Sequence, residues 1–131
     1  MAYWLMKSEP SSYSWDDLVR DGGTEWDGVR NNAARLHLKA MKKGDEAFFY
    51  ASMTDKAVVG IMRITREARP DPKDADWVSV RVEPVKAIGP VPLKDIKAEP
   101  KLAKMELIRQ SRLSVAPVRD AEWKTVLGMA G

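Results

Sequence analysis

Three segments in the middle of the chain, residues 46–52, 57–65 and 77–87, constrain its fold more than any other feature, because valine, isoleucine and aromatic side chains crowd them. Such residues suit the pleated, half-buried surface of a sheet. In the third segment Val78, Val80 and Val82 alternate with Ser79, Arg81 and Glu83, the two-residue period of a strand with one face in water. Residues 66–76, with Pro70 and Pro72, read as a flexible loop between the second and third of these strands.

The flanks supply short helices. Residues 3–7 read as a buried strand ended by Pro10, and Ser14-Trp15-Asp16-Asp17 as a capping box before a short helix that Gly22-Gly23 stops. Asn31 or Asn32 can cap a second helix, in which Ala34, Leu38 and Met41 keep helical spacing and which Gly44 closes. Further helices are expected over 93–98, 102–109 and 120–127, with a last strand over 112–116. Strands mixed with short helices, without regular βαβ alternation, predict an α+β domain whose sheet is curved or closed. Periodicity does not decide closure.

At 131 residues, 44% hydrophobic and 31% charged, the chain has the size and composition of one globular domain, residues 1–131. It has no cysteine, which excludes disulfides, thiol nucleophiles and zinc-thiolate sites. No apolar run approaches the roughly 20 residues of a membrane span. Lys7 and Glu9 interrupt the short apolar start, so no signal peptide is expected and the cytoplasm is the expected address. The sequence sets no oligomeric state, and a monomer is the default.

Net charge is only +3, but its distribution is uneven. Residues 1–28 carry Lys7 and Arg20 against Glu9, Asp16, Asp17, Asp21, Glu25 and Asp27. Residues 29–43 then carry Arg30, Arg35, Lys39, Lys42 and Lys43 with no acid, and from Lys94 onward eight bases face five acids. A local basic face suits phosphate contacts, and it equally suits a solvated helix surface.

Several chemistries lack their residues. His37, the one histidine, sits mid-helix between Leu36 and Leu38, where packing or a surface role is expected. No phosphate-loop or dinucleotide-binding glycine motif occurs, no carboxylate–histidine cluster has metal-ligand spacing, and no cofactor is expected. What remains is the equipment of a binding site for a flat, polar, anionic ligand. The stretch Trp26-Asp27-Gly28-Val29-Arg30-Asn31 places an indole, a turn, a cation and an amide at a helix start. Trp26, among polar neighbours, suits either a base-stacking cleft or a cover over the core. Arg30 and Asn31 suit phosphate and a base edge, and Asn31 also suits plain capping. Tyr50 and Ser52 project to one side of their strand, whereas core packing is expected of Phe48 and Phe49. Arg109-Gln110-Ser111-Arg112-Leu113-Ser114 gathers two cations and two hydroxyls before a strand, which fits a phosphate site or a solvated turn.

Together these segments resemble the EVE domain of the thymocyte nuclear protein type, in the PUA-like superfamily. The resemblance rests on Tyr3-Trp4-Leu5-Met6-Lys7-Ser8-Glu9-Pro10, Trp26-Asp27-Gly28-Val29-Arg30-Asn31, Glu46-Ala47-Phe48-Phe49-Tyr50 with Ser52, and Arg109-Gln110-Ser111-Arg112-Leu113-Ser114, in that order nearly end to end. It implies a PUA-like, partly open β-barrel of about five to six strands decorated with short helices. It also implies kinship with YTH-type readers of modified RNA bases, and a role in recognising modified bases, notably modified cytosine in DNA. Ala51 departs from the pattern, since eukaryotic members often carry histidine there. The chain also lacks the long N-terminal tail of nuclear members, as expected of a stand-alone bacterial protein.

The expected function is therefore a module that accepts one modified, extruded base of DNA or RNA. Trp26 and Tyr50 would wall in the base, while Asn31, Ser8, Ser52 and backbone groups around Val29 read its polar edge. Lys7, Arg30, Arg109 and Arg112 would hold flanking phosphates, with Ser114 in the same cluster. A rival is hydrolysis of a modified nucleoside, as in PUA-like relatives of the ASCH type, by Lys7, Ser8 and Glu9. Adjacent residues of an extended chain face opposite ways, so that trio converges only if a turn intervenes. A third reading is a protein-interaction domain that binds no small ligand.

Overall fold

A computed structural model describes residues 1–53 and 55–130. Six strands form one sheet: β1 (Tyr3–Ser8), β2 (Thr24–Trp26), β3 (Glu46–Ala51), β4 (Ala57–Asp71), β5 (Asp74–Pro92) and β6 (Val115–Val118). Their order across the sheet is β2-β5-β4-β3-β1-β6. The pair β1 and β3 is parallel, with Lys7 opposite Tyr50 and Ser8 opposite Ala51. The other neighbouring pairs are antiparallel.

Both faces of the central strands are covered, which explains their unbroken apolar runs. Along β1 and β3, Trp4, Met6, Ala47 and Phe49 enter one core, whereas Leu5, Phe48 and Tyr50 enter the other. The first core also holds Trp26 from edge strand β2 and Val115 and Ala116 from the opposite edge, β6. One core reached from both edges requires a curled sheet. Helix α2 (Asn32–Ala40) packs against β6, β5 and β4, and so spans the opening that the curl leaves. The result is an α+β fold built on an open, curled six-stranded sheet.

Local chemistry fixes the helices near the site. Ser14 and Asp17 form the expected capping box of α1 (Trp15–Asp21), and Gly22, at φ 74°, ends it in the left-handed conformation glycine tolerates. Asn31 caps α2, its side-chain oxygen accepting the Ala34 N–H at 2.9 Å. This helix ends at Ala40, so Gly44 belongs to the turn beyond it rather than to its cap. On the second face lie α3 (Leu93–Ala98), α4 (Glu106–Arg109) and α5 (Asp120–Met129), which contribute Ile96, Leu107, Trp123 and Val126 to its core.

Two expectations need correction. Residues 66–76 are not a flexible loop: β4 and β5 continue through them as a hairpin that turns between Asp71 and Asp74. Beyond Arg63 the β4 strand no longer pairs with β3, and past the Ile64 hydrogen bonds to Gly44 and Asp45 its outer edge has no partner strand, so Pro70 costs the sheet no hydrogen bond. Residues 102–109 are not one helix but a 3-10 turn (Pro100–Leu102) followed by α4. Leu102, Met105 and Leu107 are all buried, and a spacing of three then two residues fits no single helical face. The last strand begins at Val115, later than expected, and the short strand β2 carried no alternation long enough to reveal it.

Candidate functional site

The ends of β1, β3, β4 and β5 line up at one rim of the sheet, because Ser8 pairs with Ala51, Ala51 with Ala57, and Ala57 with Pro92. Two clefts open along this rim, and alternation along β1 sets them apart. Ser8 lies on the face of Trp4 and Met6, and Lys7 on that of Leu5.

The first cleft, of about 430 Å3, is bounded by Lys7, Ser8, Glu9, Tyr13, Trp26 and Asp27, with Ser12, Thr24, Glu25 and Lys73 completing it. Its volume lies within the usual range for small-molecule sites. Trp26 is only 8% exposed. Its indole stands edge-on to Phe49 at 5.7 Å and 87°, so it covers the core and borders the cleft at once. Covering the core and bordering a cleft are compatible in this geometry. Ser8 Oγ donates to the Tyr13 carbonyl at 2.6 Å, which folds the chain after β1 back over the cleft. The Tyr13 hydroxyl donates to Asp21 at 2.9 Å.

A carboxylate network stiffens the wall. Glu25 accepts from Arg66 at 2.6 Å and from Ser79 Oγ at 2.8 Å, and its partner Arg66 holds the carboxyl below the usual carboxylate range. Asp71, at the hairpin tip, accepts from the N–H groups of Gly28 at 2.9 Å and Lys73 at 2.7 Å, and from Arg30 at 3.1 Å. Burial pushes the Asp71 carboxyl up, but these three donors outweigh it and hold the group below its ordinary value. Asp27 lies 3.6 Å from the Lys73 ammonium. The hairpin thereby clamps the turn that carries Trp26.

The second cleft, of about 300 Å3, is lined by Lys7, Tyr50, Ser52, Lys56, Leu93 and Ser111, with Met53 and Leu107. Lys7 Nζ donates to the Ser111 carbonyl at 2.8 Å and lies 5.8 Å from the centre of the Tyr50 ring. Burial pulls the Lys7 ammonium below the ordinary lysine value.

Tyr50 and Ser52 therefore share one cleft as their spacing predicts, but Trp26 and Tyr50 do not jointly wall in a base. Tyr50 is in the core opposite that of Trp26, and the thickness of the sheet separates the two rings. The other expected site residues line neither cleft. Val29 is buried beside Trp26. Arg30 is held by Asp71 and the Val29 carbonyl, its guanidinium 5.6 Å from the Trp77 ring. Asn31 is engaged as the α2 cap. Arg109 faces Glu106 at 3.5 Å, Arg112 is exposed, and the Ser114 carbonyl accepts the Lys7 N–H at 2.9 Å. Lys7 and Ser8 hydrogen-bond to different carbonyls rather than to each other, so the Lys7–Ser8–Glu9 trio is not assembled as a relay. Sequence reasoning missed Tyr13, Glu25 and Lys73. Tyr13 carries no signal beyond its place next to the Ser14 cap, and Lys73 was hidden in the supposed loop.

Among the described residues no group of His, Asp or Glu side chains is placed to hold a metal, and no helix is long and apolar enough to cross a membrane. The EVE domain family model matches residues 2–129. Mouse thymocyte nuclear protein 1 is 35% identical, over 97% of this chain and 73% of the mouse protein. Rpa0253 from Rhodopseudomonas palustris superposes with a TM-score of 0.95 at 52% identity, covering 100% of this chain and 94% of that one. The human THYN1 protein, solved in complex with DNA containing 5-methylcytosine, superposes with a TM-score of 0.92 at 32% identity, covering 99% of this chain and 98% of that one.

Proposed function

The chain belongs to the EVE domain family, and on that premise we propose that it is a nucleic-acid reader that admits one modified base, modified cytosine above all, into the cleft beside Trp26. The observation that carries this reading is the company Trp26 keeps: an indole edge and the Tyr13 side chain bound the same cleft as the Glu9 and Asp27 carboxylates. Carboxylates accept hydrogen bonds from the exocyclic amine of cytosine, and aromatic borders suit a planar ring and its methyl group. The DNA containing 5-methylcytosine bound by the human relative supports the same base and the same polymer.

Magnitudes bound what such a site achieves. Stacking contributes about 1–3 kcal/mol per base and extrusion from a duplex costs a few. Aromatic contact alone therefore leaves little net affinity, and hydrogen bonds and phosphate contacts must supply the rest. An added methyl group is worth about 1–3 kcal/mol, so selectivity between roughly tenfold and a few hundredfold is expected, with affinity falling as salt rises.

The test is a titration of short single-stranded and duplex DNA carrying one 5-methylcytosine against unmodified controls, repeated with RNA. Preference for the modified strand in wild type, with binding weakened in Glu9→Gln or Asp27→Asn, supports the reading. Equal binding of modified and unmodified strands by wild type and both variants overturns it.

One observation favours hydrolysis as a second reading: Lys7, made less basic by burial, lines the same cleft as Ser8 and Glu9. Product release from an acylated cytidine, abolished in Lys7→Ala, would establish it.

A further inference from the structure

The clefts along the rim do not end at the second one. A third, of about 480 Å3, is lined by Asp55, Lys56, Pro92, Leu93, Lys94 and Lys97. It shares Lys56 and Leu93 with the second cleft, as the second shares Lys7 with the first. The sharing has a backbone cause. The Leu93 N–H donates to the Lys56 carbonyl at 2.7 Å, which holds the turn before β4 against the start of α3. Through these shared residues the three concavities adjoin one another along the ends of β1, β3, β4 and β5, where they are read as one trough.

Charge divides this trough. The first cleft carries the carboxylates of Glu9, Glu25 and Asp27, which repel phosphate, and its far-side cation, Lys73, already faces Asp27 at 3.6 Å. From Lys7 onward the balance reverses. Lys7, Lys56, Lys94 and Lys97 meet one acid, Asp55, and among the described residues none of these four lysines lies within ion-pair distance of a carboxylate. Lys56, Lys94 and Lys97 are exposed, and Tyr50, Leu93 and Pro92 give the floor an apolar surface. Separated cations over an apolar floor complement a strand whose phosphates lie outward and whose sugars and bases lie inward.

Resting on the base-reading function of the first cleft, we infer that the second and third clefts form a track for the single strand flanking the inserted base. Lys7 stands at the corner between base and backbone, and Lys56, Lys94 and Lys97 contact successive phosphates. A strand leaving the first cleft has one exit lined with cations, and that exit sets the side on which flanking nucleotides add affinity.

The test compares wild type with a Lys94→Ala/Lys97→Ala double variant and with Lys56→Gly. Lys56 has φ 46°, a left-handed conformation that costs a side-chain-bearing residue more than glycine, so this second variant removes the cation without straining the turn. The probes are the 5-methylcytosine mononucleotide and single-stranded DNA in which that nucleotide is extended on one side or on both. All three proteins should bind the mononucleotide alike. The extended strand should lose roughly tenfold in affinity for the double variant, and the dependence of log K on log salt should flatten by about 1.4, since each contact contributes about 0.7 on single strands. Lys56→Gly should flatten it by about 0.7, and Lys94→Arg/Lys97→Arg should retain wild-type binding.

Wild-type affinity and salt slope in the Ala and Gly variants would overturn the track while leaving the base reader intact. A wild-type protein indifferent to 5-methylcytosine, but with the lysine-dependent slope, would overturn the base reader and keep the track. Poly-glutamate binding as tightly as the strand would overturn its assignment to nucleic acid.

Discussion

The carboxylate of Asp71 accepts the backbone N–H of Gly28 at 2.9 Å, across 43 residues of sequence. Gly28 has φ 75°, so the turn after Trp26 is bent as glycine permits, and the hairpin tip fastens it there. Because the Asp71 side chain is fully buried and also binds Arg30 and the Lys73 N–H, Asp71→Asn should leave donors imperfectly matched. A loss of about 1–3 kcal/mol in chemical denaturation is expected, with weaker binding in the first cleft. The pH dependence has a definite sign. The folded-state pKa lies below the unfolded one, so the contribution is complete above the ordinary carboxylate range near pH 4 and is lost as pH falls through the folded value. Denaturation midpoints followed into acid should fall less steeply in Asp71→Asn than in wild type. Part of the fall should remain, since Glu25 and Asp45 are depressed in the same direction.

Trp26 has a structural role and, in the proposed reading, a binding one, and two substitutions separate them. Trp26→Ala removes the edge-on contact with Phe49 and opens the first core, at a cost of about 3–5 kcal/mol. Trp26→Phe keeps much of that packing while shrinking the aromatic border of the cleft. Thermal unfolding should place Phe well above Ala, and base binding should fall in both.

In the proposed reading Lys7 couples binding to alkaline pH. Burial lowers its pKa, so its positive charge disappears below the usual lysine range as pH rises. Affinity for an oligonucleotide should therefore begin to decline at a pH below the ordinary lysine value. Lys7→Met should bind more weakly at neutral pH and lack that early decline. A binding curve of the same shape in both proteins would contradict the role given to Lys7.

Gly60 makes room for a ring. A Cβ at this position would collide with the Trp15 indole, which lies edge-on to Phe49 at 5.6 Å. Gly60→Ala should destabilise the protein by about 1–3 kcal/mol through overpacking, measured by thermal or chemical unfolding. Trp15→Leu in the same background should recover part of the loss.

Much of the fold was legible because its signals are local. The Ser14 capping box, the Asn31 cap, the valine alternation of β5 and the apolar runs of β1 and β3 each state a preference within a few residues. The hairpin through 66–76 was not, since prolines and charges are tolerated on a strand whose outer edge is unpaired, and no local pattern announces that an edge is free. The candidate site was legible in residue type more than in arrangement. Lys7, Ser8 and Trp26 gather as expected, and so do Tyr50 and Ser52, but on opposite faces of the sheet. Arg30 and Asn31, which look like ligand contacts in sequence, are engaged in holding the turn and the helix.

By itself the sequence determined most of the segments that become strands and helices, which residues are apolar enough to be buried, and which family pattern they follow. Those properties depend on neighbours within one or two turns of chain. Tertiary structure alone decided that β1 and β3 pair in parallel, that the Asp71 hairpin clasps the Trp26 turn, and that Lys7 stands where the acidic cleft meets the lysine-lined one. Each of these joins residues about 40 or more positions apart, through strand register and burial that no short window of sequence contains.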